Sequence, residues 1–285
     1  MERVKKQLQV ECCFEKGIFG QNIGTAILDT GVYRHPNLGA NIRHFEDCVW
    51  HLPMPYDDNG HGTHIAGIIC DRKHGIAPQS NVVCIKVLKQ DGQGKIADVV
   101  SGIMWILKNY EKYGIRIVNI SLGAKDEKKE DLQKLLKGVE QLWDEGLIVV
   151  ASAGNNGPGL YSVTVPGINC KIITVGAMDD QEQMGRQKNY SGRGPTKECA
   201  VKPEIVTYGS HIYSCSNHAN AYEEKSGTSM ATAIVSGAIA LALSRDPSLT
   251  NQSIKQKLKD TAQPLALERH QQGWGGLNLK AFVLK

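Results

Sequence analysis

The chain has 285 residues, 41% of them hydrophobic and 22% charged, enough for a sizeable core and unlike a disordered chain. Its formal charge of +4 is scattered, and even the densest run, at 125–129, is broken by acids, which argues against nucleic acid as a partner. No uninterrupted apolar stretch reaches about 18 residues, so no membrane span is expected, and the first 17 residues lack the apolar centre of a signal peptide.

Residues 1–16 read as an N-terminal extension or helix. Strand candidates follow at Thr25–Asp29, Asn81–Leu88, Arg116–Leu122, Leu147–Ala153 and Lys171–Ala177. They are rich in Val and Ile and mostly do not alternate, as suits strands buried on both faces. Between them, Val99, Val100, Ile103, Met104, Ile106, Leu107 and Tyr110 recur at helical spacing before Gly114, and Leu132, Leu135, Leu136, Val139, Leu142 and Trp143 do so before Gly146. Strands alternating with helices predict an α/β fold: three layers, with a mostly parallel central sheet and helices on both faces. In such sheets functional residues gather at the carboxyl ends of strands. Asp29 ends one strand and Asn155 follows another. No repeat or linker tract interrupts the pattern, so one domain covering 1–285 is expected.

The eight cysteines form no C-x-x-C pair, and Cys70, Cys84 and Cys170 lie in or beside apolar runs. They read as small buried thiols of a reducing cytoplasm rather than as a disulfide framework or metal site. A cytoplasmic location is expected if Met1 is the native start.

Asp29-Thr30-Gly31 has two readings. An aspartic-protease dyad needs two carboxylates held together, yet D-[ST]-G occurs once, and that fold is all-β. The alternative is the acid of a Ser-His-Asp triad. "DDNGHGTHIAG" (57–67) puts His61 just before a helix, "KSGTSMATAIVSGAIALAL" (225–243) puts Ser229 at the start of a long apolar one, and "VVASAGNNG" (149–157) ends a strand on Asn155. A serine needs a neighbouring base to become a nucleophile, and backbone N–H groups at a helix start can hold an oxyanion.

These four motifs, in this order, resemble the subtilisin-type serine proteases (subtilases), closest in style to the intracellular bacterial subtilisins. The resemblance runs from about Gly17 to Leu243. It implies a serine endopeptidase with Ser229 as nucleophile, His61 as base and then acid, Asp29 orienting His61, and Asn155 with the Ser229 N–H as oxyanion hole. It implies that a peptide or protein substrate binds as an extended strand between 90–94, with Gly92 and Gly94, and Ser121-Leu122-Gly123. Ser152-Ala153-Gly154 and Thr164-Val165-Pro166 would line the main specificity pocket, Leu88, Ile96 and Val99 an apolar pocket upstream of the cut, and Thr228 would also touch substrate. Activity should rise through neutral pH as His61 deprotonates. Two other readings share these residues: a dedicated precursor-processing protease and a non-catalytic peptide-binding relative. A proteinaceous inhibitor is left unassigned.

The chain departs from the family pattern in three places. Asp29 lies 28 residues after Met1, which leaves no room for the folding pro-domain of secreted relatives if Met1 is the native start. Only "IICDRKH" separates Gly67 from Gly75, where relatives carry a longer calcium-holding loop. Calcium takes six to eight oxygens, so this site is expected to be absent, no metal or cofactor is required, and only a weaker calcium site elsewhere is allowed for. Ala233-Ile234 replaces the usual Pro-His behind Ser229, a change that could favour acyl transfer to amines. Outside the motifs, His64 reads as packed or hydrogen-bonded, since it lacks the spacing of a zinc pair. "GQGKIAD" lacks the spacing of a phosphate loop. His35, His44, His51 and His74 read as surface or loop residues.

Overall fold

A computed structural model describes residues 1–123, 128–181, 189–199 and 201–285, so the charge run at 125–129 lies mostly outside the described residues. In chain order the elements are α1 (Glu2–Gln7), α2 (Glu11–Phe14), β1 (Gly24–Asp29), β2 (Ile42–Asp47), α3 (His61–Cys70), β3 (Asn81–Lys86), α4 (Ile96–Asn109), β4 (Ile115–Ile120), α5 (Lys129–Asp144), β5 (Ile148–Ser152), β6 (Ile173–Ala177), β7 (Ile205–Thr207), β8 (Ile212–Cys215), β9 (Tyr222–Lys225), α6 (Thr228–Arg245), α7 (Asn251–Thr261), α8 (Arg269–Gln272) and α9 (Leu279–Leu284).

β1 to β7 form one sheet in the order β2-β3-β1-β4-β5-β6-β7, and every pairing in it is parallel. β8 and β9 form a separate antiparallel hairpin. The apolar runs in β1, β5 and β6 are fully buried, as two-sided cover requires. That cover follows from the alternation of β1. Gly102 of α4 lies close to Leu28, whereas Gly62 of α3 lies close to Asp29, and neighbouring strand residues point to opposite faces. The helices α3 and α4 therefore sit on opposite sides of the sheet. α3 packs against α6, and α4 against α5.

The chain builds β1, β2 and β3 on one side of the sheet, then crosses to β4 on the other. The strand order thus reverses between β1 and β4, where a crevice opens at the carboxyl ends. Leu28 pairs with Ile120 in register, so Asp29 and Ser121 emerge side by side.

Four features differ from the sequence expectations. The edge strand β2 and the β8–β9 hairpin carry charged or polar residues on partly exposed faces, so no apolar run announces them. Cys170 is exposed and disulfide-bonded to Cys199, with Cα atoms 5.7 Å apart, whereas Cys70 and Cys84 are buried thiols. These partners are 29 residues apart in sequence, too far for local spacing to reveal. The helix α6 is long and apolar enough to cross a membrane, with a mean hydropathy of 1.3 despite its hydroxyl residues, but 89% of it is buried within the protein. His35 is 1% exposed, because the turn after β1 folds it under β8.

Candidate active site

His61 opens α3 after Gly60, whose φ of +97° lies in the left-handed region that glycine tolerates. Asp57 caps this turn from a distance. Its carboxylate accepts the N–H groups of Asn59, Gly60 and Thr63 and the hydroxyls of Thr30 and Thr63. Burial pushes the Asp57 carboxyl up, but these hydrogen bonds outweigh it and hold it below the usual carboxylate range. Thr30 Oγ1 in turn accepts the Gly62 N–H at 2.9 Å. Lys86, fully buried, donates to the Thr30 carbonyl at 2.6 Å and pairs with Asp58. The end of β1 and the start of α3 are thereby locked together.

Within that lock, His61 Nδ1 and Asp29 Oδ1 are 2.7 Å apart. Asp29 is buried, while the His61 side chain is 24% exposed and faces the crevice. Burial pulls the imidazole pKa down, but the charge and hydrogen bond of Asp29 overcome this and leave it raised. Lys225, held by Glu223 at 3.0 Å, also pulls it down.

Ser229 lies in the first turn of α6, where backbone N–H groups have no helical partner. Its hydroxyl donates to the Ser121 carbonyl at 3.1 Å, and no hydrogen bond joins it to His61. Asn155, after β5, accepts the Thr228 N–H at 3.0 Å and the Thr228 hydroxyl at 3.1 Å on Oδ1, leaving Nδ2 uncommitted. Thr228 itself does not line the cleft. It is fully buried, and both its donors are spent on Asn155.

These groups surround one cleft of about 550 Å³. His61, Ser229 and Asn155 line it together with Leu88, Gly92, Gly94, Ile96, Val99, Ser121, Leu122, Gly123, Ser152, Gly154 and Thr164. Ala153 is fully buried and does not line it. The sequence reading missed Asn59, Leu135 and Asn156 on the walls, and Glu224, Lys225 and Met230 in the adjoining hollow beyond Ser229. Asn59 bridges the two sides, accepting the His61 N–H and donating to the Gln90 carbonyl. Only the Asp57 cap was within reach of sequence, as an acid three residues before Gly60.

The cleft floor is narrow. A Cβ at Gly123 or at Gly154 would lie 2.5 Å from Thr164 Oγ1. Ala233 and Ile234 are fully buried in α6. His64, one turn along α3 from His61, is also fully buried; it has Nε2 3.0 Å from the Ile212 carbonyl, and burial brings its pKa down to about 3. Residues 71–75 form a tight turn in which Asp71 accepts the N–H groups of Lys73, His74 and Gly75. Its neighbours Arg72 and Lys73 are exposed cations.

The fold and cleft define the class first: a parallel α/β protein in which an acid-paired histidine, a serine at a helix start and a clamped asparagine meet where the strand order reverses. The family follows. A model of the subtilase family matches residues 20–275, and the chain belongs to that family. It is 37% identical over 273 residues to serine protease AprX of Bacillus subtilis (strain 168), an alignment covering 85% of this chain but 61% of AprX. Subtilisin BL of Lederbergia lenta is 33% identical over 264 residues, covering 91% of this chain and 90% of its own. Among solved structures, sphericase superposes with a TM-score of 0.79 at 28% identity, covering 92% of this chain and 96% of that one.

Proposed function

We propose that the protein is a serine endopeptidase that cuts peptide bonds through an acyl-enzyme. Ser229 is the nucleophile. His61 donates Nδ1–H to Asp29, which leaves Nε2 as the base. On substrate binding the Ser229 hydroxyl leaves the Ser121 carbonyl, gives its proton to Nε2 and attacks the scissile carbonyl. His61 then passes that proton to the departing amine, and water releases the acyl group by the same route. Asn155 Nδ2 and the Ser229 N–H hold the oxyanion. No metal takes part in these steps.

The substrate, a peptide or protein, lies extended between 92–94 and 121–123. An apolar side chain upstream of the cut enters the wall formed by Leu88, Ile96, Val99 and Leu135. The observation that carries this reading is the clamp on Asn155. Thr228 fixes the amide oxygen so that the nitrogen is preset beside Ser229, an arrangement a purely peptide-binding relative has no use for. A fluorophosphonate probe should label the wild type at Ser229 and not the Ser229→Ala variant, which should also lose peptide hydrolysis. A folded wild type that neither reacts nor cleaves would overturn the proposal.

We place the protein in a reducing compartment because six free thiols outweigh the single exposed Cys170–Cys199 disulfide. An intact Cys170–Cys199 bond in protein taken from its native host would reverse that placement.

A further inference from the structure

The far end of α3 holds a second cluster. Asp71 follows the helix, Cys215 ends β8, and His35 lies in the turn after β1. One ligand atom from each falls within 4.8 Å of the others. The Cys215 thiol donates to Asp71 Oδ2 at 2.9 Å, and its sulfur is 3.5 Å from His35 Nδ1. All three residues are at most 1% exposed.

The surroundings orient these atoms. Asp71 Oδ1 accepts the N–H groups of Lys73 and His74, which turns Oδ2 toward the sulfur. Tyr222 donates its hydroxyl to the same Oδ2 at 2.9 Å, and Asn37 Nδ2 donates to the Tyr222 oxygen at 2.6 Å. Asn37 and Tyr222 are half-buried and close the cluster from solvent. His35 Nδ1 accepts the Asn37 N–H at 3.3 Å, a long bond that an ion would replace, and Nε2 is buried on the other side of the ring.

We propose that His35, Asp71 and Cys215 bind a thiophilic divalent cation of the zinc class. One sulfur, one imidazole nitrogen and one carboxylate oxygen suit such an ion far better than calcium. With zinc bonds of about 2.3 Å to sulfur and 2.0–2.1 Å to nitrogen, tetrahedral ligands stand roughly 3.5 Å apart, matching the sulfur–nitrogen separation here. The sulfur–oxygen pair is closer because a proton lies between them. Binding releases that proton to solvent, and the thiolate and carboxylate then balance the charge of the ion. Tyr222 keeps its bond to Asp71 as the outer support that ligating carboxylates need. The bound ion ties the turn after Asp29, the helix that begins at His61 and the hairpin that leads to Ser229.

The test uses the full chain carrying Ser229→Ala, to prevent self-digestion, stripped with a chelator under reducing conditions and titrated with Zn²⁺ and Co²⁺. We expect one ion per chain, a thiolate-to-cobalt charge-transfer band, and a Tm raised by Zn²⁺ but not by Ca²⁺. Cys215→Ser should remove the band. Tyr222→Phe keeps all three ligands and should weaken binding roughly 10- to 100-fold, which decides the matter should Cys215→Ser fail to fold. A Ser229→Ala parent without the band, or uptake unchanged in both variants, would overturn the site and leave a hydrogen-bonded cluster.

Discussion

An acid, a histidine and a nucleophilic atom meet at each end of helix α3, yet the two ends are wired differently. At its start, Asp29 grips the imidazole of His61 at 2.7 Å and leaves the Ser229 hydroxyl to a backbone carbonyl. At its finish, Asp71 grips the thiol of Cys215, and His35 stands 3.5 Å from the sulfur. The first group opens onto a cleft with a preset amide donor; the second is sealed. Similar residue types thus supply a base in one place and a ligand set in the other. What decides is which partner the acid holds and whether a substrate can enter.

That contrast can be broken most severely at Asp29. Asp29→Asn should lower kcat by roughly 10⁴-fold near neutral pH, because the amide favours the wrong tautomer of His61, while metal uptake at Asp71 stays unchanged. A loss below tenfold would reduce Asp29 to packing. Asn155→Ala should lower kcat roughly 100- to 1,000-fold with KM little altered, the size of loss known for this donor in a related subtilisin. Thr228→Val removes one of the two bonds that clamp Asn155 and should cost about fivefold in kcat, the worth of one hydrogen bond. A KM effect alone would instead mark Thr228 as a substrate contact.

The smallest expected effect is on pH dependence. Asp29 raises the His61 pKa against the pull of burial and Lys225. The activity limb therefore lies above the ordinary histidine value of about 6.5. Lys225→Gln removes one downward pull, so the limb should move to higher pH. A shift to lower pH would show that Lys225 acts through another group.

Much of this was legible in the sequence because the residues that do chemistry sit in short motifs, and because buried parallel strands read as continuous Val and Ile runs. β1, β5 and β6 announced themselves this way. The hairpin β8–β9 did not, since "YEEK" looks like any polar loop until it pairs with "IYSC". The direction of Thr228 was not legible, because it is set by Asn155, 73 residues away. Asn59 and Lys225 went unread for a related reason: they act through backbone groups or at a distance, and one-dimensional spacing carries neither. His35 looked like a loop residue because the hairpin that buries it was itself invisible.

The narrow floor of the cleft also constrains how this protein can change. An alanine at 123 collides with Thr164, its Cβ 2.5 Å from the hydroxyl and 3.1 Å from the Thr164 Cβ. Thr164 Oγ1 is buried without a partner, so shrinking it to glycine sacrifices no hydrogen bond and clears the space. The order of steps then matters: Thr164→Gly opens a path to Gly123→Ala, while the reverse order meets a clash first. Gly154 has no such path, because its φ of +86° penalises a side chain whatever stands at 164. Of the two glycines that flank this threonine, one is replaceable in sequence with its neighbour and the other is fixed by its own backbone.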